Sequence, residues 1–505
     1  MTAWTIDTGR SSLMALQKKM AAYEHALGLL YYDGATGAPK ETAENRGVSY
    51  SILSEELYKL STGEETAQLL SFLDDHKAEL SQKEQRMVYL LYKDLRDMQK
   101  IPMKEFVSYQ ELLVKSEDIW HKAKEQSDFE MFCPYLEQIF ETNRRFAGYI
   151  APEKAPYDHC LDQYEEGLTM ETLDAFFGKL REKIVPLLKE VTEREPVDDS
   201  IRFGHFSIAK QEELSGYLMQ VMGLDPGHVG LSTTEHPFTT SLGSHLDERI
   251  TTHYYENDFV SSMYSVIHEG GHALYDTGSA PDLAFTVLDG GTSMSIHESQ
   301  SRFYENILGR SQSFCRFLFP KLKELFPEQM DGRSPEDFYH AVNKAQPSLI
   351  RTEADELTYC LHIMVRYELE KRVMAGELKV CDLPSEWNRL YKEYLGVDVP
   401  DDKHGLLQDS HWSGGLIGYF PSYALGNAYG AQFLAKMKES VDVDGCMGRG
   451  DFAPVNAWNR EQIWQHGRLY TPAQILDRVL GEPFDPMYYV RYLQQKYRFQ
   501  ESGSK

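Results

Sequence analysis

The 505-residue chain carries 52 basic against 78 acidic side chains, a formal net charge of -26, with 42% hydrophobic residues and a mean hydropathy of -0.48. This is the composition of an ordinary soluble globular protein with a sizeable core, and its charge repels phosphate backbones and anionic membranes, so neither nucleic acid nor a membrane is expected as a partner. No apolar run is long enough to span a bilayer, Met1 to Met20 lacks the apolar centre and cleavage site of a signal peptide, and Cys133, Cys160, Cys315, Cys360, Cys381 and Cys446 form no Cys-x-x-Cys pair, so a cytoplasmic protein with reduced thiols is expected.

From about Ser11 to Ile150 amphipathic segments such as Leu13 to Tyr32, Ser81 to Met98 and Phe129 to Tyr149 follow one another with helical period. Turn or stop signals fall at Asp33-Gly34 with Gly37-Ala38-Pro39, at Thr62-Gly63, at Ile101-Pro102 and at Ala151-Pro152. Thr169 to Thr192 reads as a further long helix, followed by a linker through Phe206 and a helix near Ala209 to Met222. Between His228 and Tyr255 the period shortens, and three runs rich in Thr and β-branched residues predict a small antiparallel sheet, the chain's one β region. Helical patterning then returns to the C-terminus, interrupted by Asp442 to Asp451, which reads as a mobile connection. The expected architecture is mostly α, a single unit over 1–505 with a helical part over 1–205 and a part carrying chemistry over 206–505.

Chemistry concentrates in Tyr264 to Tyr275, which holds His268-Glu269-Gly270-Gly271-His272. On a helix, imidazoles at i and i+4 share one face and suit neighbouring positions on one Zn²⁺, while Glu269 is rotated by about 100° to where a base for metal-activated water belongs. Each interior glycine costs a helix about 1 kcal/mol relative to Ala, which asks for a reason such as close approach of substrate or backbone. The β segment immediately precedes this helix, and an edge strand there can pair with extended substrate. A catalytic zinc takes a third protein ligand, for which Glu298 lies on a return helix past Asp289-Gly290-Gly291. Glu305, two turns on along the same face, is the rival, and Glu298 also fits a capping box with Ser295 or an i,i+4 pair with Arg302.

The chain resembles the metallocarboxypeptidases of the carboxypeptidase Taq or thermostable carboxypeptidase 1 type, peptidase family M32, over nearly its whole length. The resemblance rests on His236-Pro237-Phe238, Asp247-x-Arg249-x-Thr251, His268-Glu269-Gly270-Gly271-His272, His297-Glu298-Ser299-Gln300, Ile350-Arg351-Thr352-Glu353-Ala354-Asp355 and Gly405-Leu406-Leu407-Gln408-Asp409-Ser410-His411-Trp412, in that order. It implies Glu298 as third ligand, a mostly helical fold with a deep cleft, a homodimer, zinc or cobalt as the metal, and removal of C-terminal residues with broad side-chain tolerance.

A carboxypeptidase must grip a free α-carboxylate, for which a guanidinium fork is suited. Arg351 is the first candidate, in what reads as the first turn of a helix, with Asp355 as its competing i,i+4 partner; Arg249 is the second, unless it braces a turn through Asp247. His236 and His411 are further candidates for contact with substrate. Tyr423 is the first choice as donor to the oxyanion, with Tyr419 in reserve. Gln408 and Asp409 read as supporting groups, Asp409 as one that orients a metal-bound histidine. Competing readings are an oligoendopeptidase or dipeptidyl carboxypeptidase of similar helical type, and a non-catalytic scaffold that merely holds metal. A di-iron bundle would need a second Glu-x-x-His pair, which the sequence lacks.

Overall fold

A computed structural model describes residues 4–498. In chain order the helices are α1 (Ile6–Thr36), α2 (Ala43–Thr62), α3 (Glu64–Asp75), α4 (Gln82–Lys100), α5 (Met103–Gln126), α6 (Phe129–Ile150), α7 (Pro156–Asp162), α8 (Met170–Thr192) and α9 (Ile208–Met222). Three strands follow, β1 (Val229–Thr233), β2 (Thr239–Ser241) and β3 (Glu248–Thr252). Then come α10 (Phe259–Thr277), α11 (Met294–Arg302), α12 (Gln312–Leu325), α13 (Pro335–Val342), α14 (Glu356–Met374), α15 (Leu383–Leu395), α16 (Pro421–Met437), α17 (Val443–Arg449), α18 (Ala453–Gln462), α19 (Pro472–Leu480) and α20 (Met487–Arg498). No helix among the described residues is long and apolar enough to cross a membrane.

Local chemistry sets most helix ends. Ser81 opens α4 by accepting from the Glu84 amide at 3.3 Å while Glu84 accepts from the Ser81 amide at 2.7 Å, and Pro102 starts α5. Two expectations are corrected. Helix α1 runs through Asp33-Gly34 and stops at Gly37, because one interior glycine is tolerated and the true stop is Gly37-Ala38-Pro39. The Asp442 to Asp451 stretch is ordered as α17, capped by Asp442 accepting from Gly445 at 3.1 Å and closed by Gly450 at φ 66°, with Val443, Cys446 and Met447 buried.

The sheet is also corrected: it is mixed, in the order β1-β3-β2, with β1 parallel to β3 (Val229 opposite Glu248) and β2 antiparallel to β3 (Thr239 opposite Ile250). Strand β3 takes the centre because both its faces are covered, with Glu248, Ile250, Thr251 and Thr252 all buried. Periodicity alone does not tell which of three short strands will lie between the others.

Apolar packing falls into two clusters. The larger reaches from Trp120 to Tyr497 and surrounds α14, which is buried on nearly every face. The smaller joins Leu13 and Leu16 of α1, Leu69, Leu70 and Leu73 of α3 and Met87, Val88, Leu91 and Leu95 of α4, and is completed by Leu283 and Leu288 from the connection between α10 and α11. Gln17 of α1 fastens that connection by accepting from the Val287 amide at 2.9 Å.

Two glycines let α11 lie unusually close to its neighbours. A Cβ on Gly271 of α10 would sit 2.8 Å from Ser301 Cα, and one on Gly426 of α16 would sit 2.5 Å from Glu298 Cβ. Crowding against backbone costs about 1–3 kcal/mol, more than the roughly 1 kcal/mol that Ala adds to a helix. Gly271→Ala should therefore lower the thermal midpoint of the metal-free protein. Gly216→Ala, on the exposed face of α9 with nothing within 4 Å of the added Cβ, should raise it. A thermal-shift comparison of both variants with the parent checks the pair, and a stabilised Gly271→Ala would show that α11 is free to move away.

Candidate metal centre

Helix α10 starts at Asp258, whose carboxylate accepts from the Val260 amide at 3.0 Å, and it buries Phe259, Met263, Val266, Ile267 and Leu274. His268 and His272 emerge one turn apart with ring centroids 5.1 Å apart. The connection through Gly290-Gly291 returns the chain to α11, capped by Ser293, which accepts from the Ile296 amide at 3.1 Å. The cap is thus Ser293 and not Ser295, and Glu298 is not spent on a capping box. Ligand-type atoms of His268, His272 and Glu298 all lie within 4.8 Å of one another, the one such group of three among the described residues. Two imidazoles and one carboxylate form a donor set that fits a divalent ion with a position left open.

Each of these groups is held from behind. His268 Nδ1 lies 2.9 Å from Glu305 Oε2, which leaves Nε2 free. Glu305, the alternative to Glu298 as third ligand, lies in the π-helical turn Phe303–Gly309 that breaks the α register after α11, and it meets His268 from behind. Burial alone would raise the Glu305 carboxyl, but Arg302, His268 and Arg310 together hold it well below the usual carboxylate range. Arg302 also donates from Nε to Glu298 Oε2 at 3.3 Å, so the expected i,i+4 pair is present. Burial and the neighbouring rings hold His272 well below the usual histidine range, which keeps its ring neutral with a lone pair available. Its Nδ1 lies 3.1 Å from His297 Nδ1, and His297 Nε2 lies 3.1 Å from Asp276 Oδ1.

Glu269 points toward the sheet, 8% exposed, with Oε2 accepting from Thr239 Oγ1 of β2 at 2.6 Å. Burial raises its pKa against the opposing pull of His268 and Thr239. The edge strand thus holds the carboxylate beside the donor set.

A second polar cluster surrounds Arg351. This residue lies in a three-residue 3₁₀ turn, Arg351–Glu353, and not in the first turn of a helix; Asp355 is the N-cap of α14 and accepts from the Leu357 and Thr358 amides. Arg351 instead meets Asp409, donating to Oδ1 from Nε at 3.1 Å and from Nη2 at 2.8 Å, and donates from Nη1 to Tyr359 Oη at 2.9 Å. Arg366 donates from Nε to Asp409 Oδ2 at 2.8 Å. Asp409 therefore anchors two guanidiniums and orients no histidine of the donor set. Burial would raise its carboxyl, yet Arg366 and Arg351 hold it far below the usual range. Gln408 fixes the loop, accepting from the Arg351 amide and donating to Leu349 O.

His411 Nε2 lies 3.2 Å from Tyr423 Oη, and the Tyr423 ring centroid is 5.0 Å from the Arg351 guanidinium carbon. Burial, reinforced by Arg351 and Arg366 over the opposing Asp409, pushes His411 down to about 4, so it is neutral at neutral pH. Tyr419 packs edge-on against Tyr423 at 5.2 Å. The two clusters are joined by Tyr359, whose ring takes the Arg302 guanidinium at 4.4 Å while its hydroxyl accepts from Arg351.

Two candidates fall elsewhere. Arg249 is locked onto Asp247 by contacts of 2.6 and 3.0 Å, bracing the turn before β3, and His236 is exposed on the bend between β1 and β2 without a hydrogen bond among the described residues. Thr239, Tyr359 and Arg366 are members of these clusters that the sequence does not single out, because they meet their partners only through tertiary packing; Arg302 was legible through its i,i+4 spacing from Glu298.

A family model described as carboxypeptidase Taq (M32) metallopeptidase matches residues 12–497. The chain is 42% identical over 494 residues to carboxypeptidase 1 of Bacillus subtilis, covering 97% of this chain and 98% of that protein. It is 34% identical over 514 residues to thermostable carboxypeptidase 1 of Thermus thermophilus, covering 98% and 99%. The crystal structure of an M32 carboxypeptidase from Deinococcus radiodurans superposes with a TM-score of 0.94 at 34% identity over 97% of this chain and 99% of that one. With its length matched almost end to end, the chain belongs to the carboxypeptidase Taq (M32) family of metallopeptidases.

Proposed function

We propose that this metallocarboxypeptidase releases single C-terminal amino acids from peptides with broad side-chain tolerance, with His268, His272 and Glu298 holding one zinc or cobalt ion and Glu269 as general base. The reading extends to a cytoplasmic homodimer, as the family resemblance implies. The observation that carries it is charge: beside a donor set with an open position, Arg351 and Arg366 share the single carboxylate of Asp409, so these three buried groups retain one positive charge for an incoming anion.

When bound, the ion supplies Lewis acidity that polarises the scissile carbonyl and makes water easier to deprotonate. The rest falls to the chain. Glu269 has one oxygen tied to Thr239 and the other without a hydrogen-bond partner among the described residues, so it takes a proton from water and delivers it to the departing amine, its raised pKa suiting both steps. Arg351, with its fork oriented by Asp409, pairs with the terminal carboxylate and sets the register of cleavage. Tyr423, held by His411, donates to the oxygen that gains charge. An endopeptidase has no need of a site for a terminal carboxylate, and a dipeptidyl enzyme uses one two residues beyond the scissile bond. Mass spectrometry of an N-blocked peptide digested by the metal-loaded protein should show a ladder of single-residue losses; internal fragments or dipeptide steps would favour those alternatives.

Three outcomes test the assigned roles. Metal content per chain, measured after desalting, should fall sharply in His268→Ala and in Glu298→Ala, and a chelator should abolish activity reversibly. If Glu298→Ala kept metal and rate while Glu305→Ala lost both, the third ligand would be Glu305.

Glu269→Gln preserves shape and the contact with Thr239 but removes basicity. It should keep its metal while kcat falls by roughly 10²–10⁴, the scale of a lost acid-base group. Near-normal turnover of a metal-replete Glu269→Gln protein would sink the assignment.

Amidating the substrate's C-terminus and replacing Arg351 by Ala should each lower kcat/KM by roughly 30-fold to several thousand-fold, since a buried charge-assisted contact is worth about 2–5 kcal/mol. The two losses should not add. An Arg351→Ala enzyme that still prefers acid over amide as strongly as the parent would assign the clamp to another residue.

A further inference from the structure

The two histidines of the donor set are supported differently. His268 faces a carboxylate directly, Glu305 Oε2 at 2.9 Å, whereas His272 faces another imidazole, His297, which in turn meets Asp276. Resting on the reading that His268, His272 and Glu298 hold the ion, we infer that His297 is a positioning residue for the metal, fixing the tautomer and ring plane of His272 through a relay that ends on Asp276.

A count of protons gives one consistent arrangement. A neutral imidazole has one N–H and one lone pair, and the nitrogen offered to a metal must carry the lone pair. Since His272 Nδ1 is turned to His297, Nε2 is the nitrogen left for the ion, so Nδ1 carries hydrogen and donates across 3.1 Å to His297 Nδ1. The single hydrogen of His297 then sits on Nε2 and donates to Asp276 Oδ1 at 3.1 Å. Every proton finds an acceptor. The reverse tautomer of His297 would set two N–H groups face to face and turn a lone pair to a carboxylate.

The surroundings hold this ring in place. Asp276 Oδ1 is anchored by the Gly291 amide at 3.1 Å, and the Tyr275 ring lies 4.8 Å from that of His297. A Cβ on Gly291 would run into His297 Cδ2 and Nε2, so glycine there makes the room the ring occupies. His272 and Asp276 are one turn apart on α10 while His297 comes from α11, so the relay also ties together the two helices that carry the donors.

Competition titration of Zn²⁺ between the protein and a chromophoric chelator tests the inference, with the visible spectrum of the Co²⁺-loaded protein as a second readout. His297→Leu should weaken Zn²⁺ binding by roughly 10- to 100-fold, the range typical of a partner behind a metal-bound histidine, and alter the Co²⁺ bands. His297→Asn, which still presents an acceptor near the Nδ1 position, should recover most of the affinity. Unchanged affinity and bands in a folded His297→Leu protein overturn the relay. Should His297→Leu not fold, Asp276→Asn keeps the volume, removes the charged end of the relay and should weaken binding in the same direction; full affinity there also overturns it. His272→Ala separates the two levels: metal retained in that variant defeats the metal-centre reading itself, whereas metal lost there but held at full affinity by His297→Leu defeats only the relay.

Discussion

The site depends on how closely three helices approach one another. Helix α11 passes between α10 and α16 at distances that only hydrogen allows, Gly271 meeting the backbone at Ser301 on one side and Gly426 meeting Glu298 on the other. A methyl group at either place would displace α11, and with it Glu298, by a sizeable fraction of a metal–ligand bond. Of the two glycines in the His-Glu-Gly-Gly-His stretch, Gly271 is thus explained by backbone approach, while Gly270 makes room for the side chains of Met222 and Leu224. The roughly 1 kcal/mol each glycine forfeits in helix propensity is offset by the close packing these positions permit.

Electrostatics follows from that proximity. Packing α11 into the interior buries Glu298, Arg302, Glu305 and Arg310 along one path, and the alternation of sign leaves each charge beside an opposite one. Buried charges are tolerable only when so matched, since desolvation otherwise costs several kcal/mol per ion. The second cluster departs from this pattern, with two guanidiniums to one carboxylate, and Tyr359 lies between the two, stacked on Arg302 and accepting from Arg351. Tyr359 of α14 and Arg302 of α11 thus link the two clusters by side-chain packing.

What could be read in the sequence and what could not divide along the distance over which each feature is determined. The His268 and His272 pair, the limits of α8 and α9, the breaks at Gly63 and Pro102 and the existence of three strands are decided within one or two turns of chain. The fate of Glu305 hinged on a π-helical turn that no period of 3.6 anticipates, and the partner of Arg351 lies 58 positions away at Asp409, not four at Asp355. Glycine content hid α17, whose order comes from burying Val443, Cys446 and Met447. Thr239 was noticed only as a β-former, because its contact with Glu269 exists only once the sheet has docked on α10.

The connection between α10 and α11 looks like a loop, but Leu283 and Leu288 are embedded in the apolar cluster of α1, α3 and α4. To spread α10 and α11 by opening this segment, both leucines must be drawn into water. Burial of a leucine is worth about 1.5–3 kcal/mol, so together they set roughly 3–6 kcal/mol against opening, a suppression of about 10²- to 10⁴-fold. The N-terminal helices, which contribute none of His268, His272 and Glu298, thereby resist opening of this segment, so the spacing of α10 and α11 rests on leucine packing well away from those three side chains.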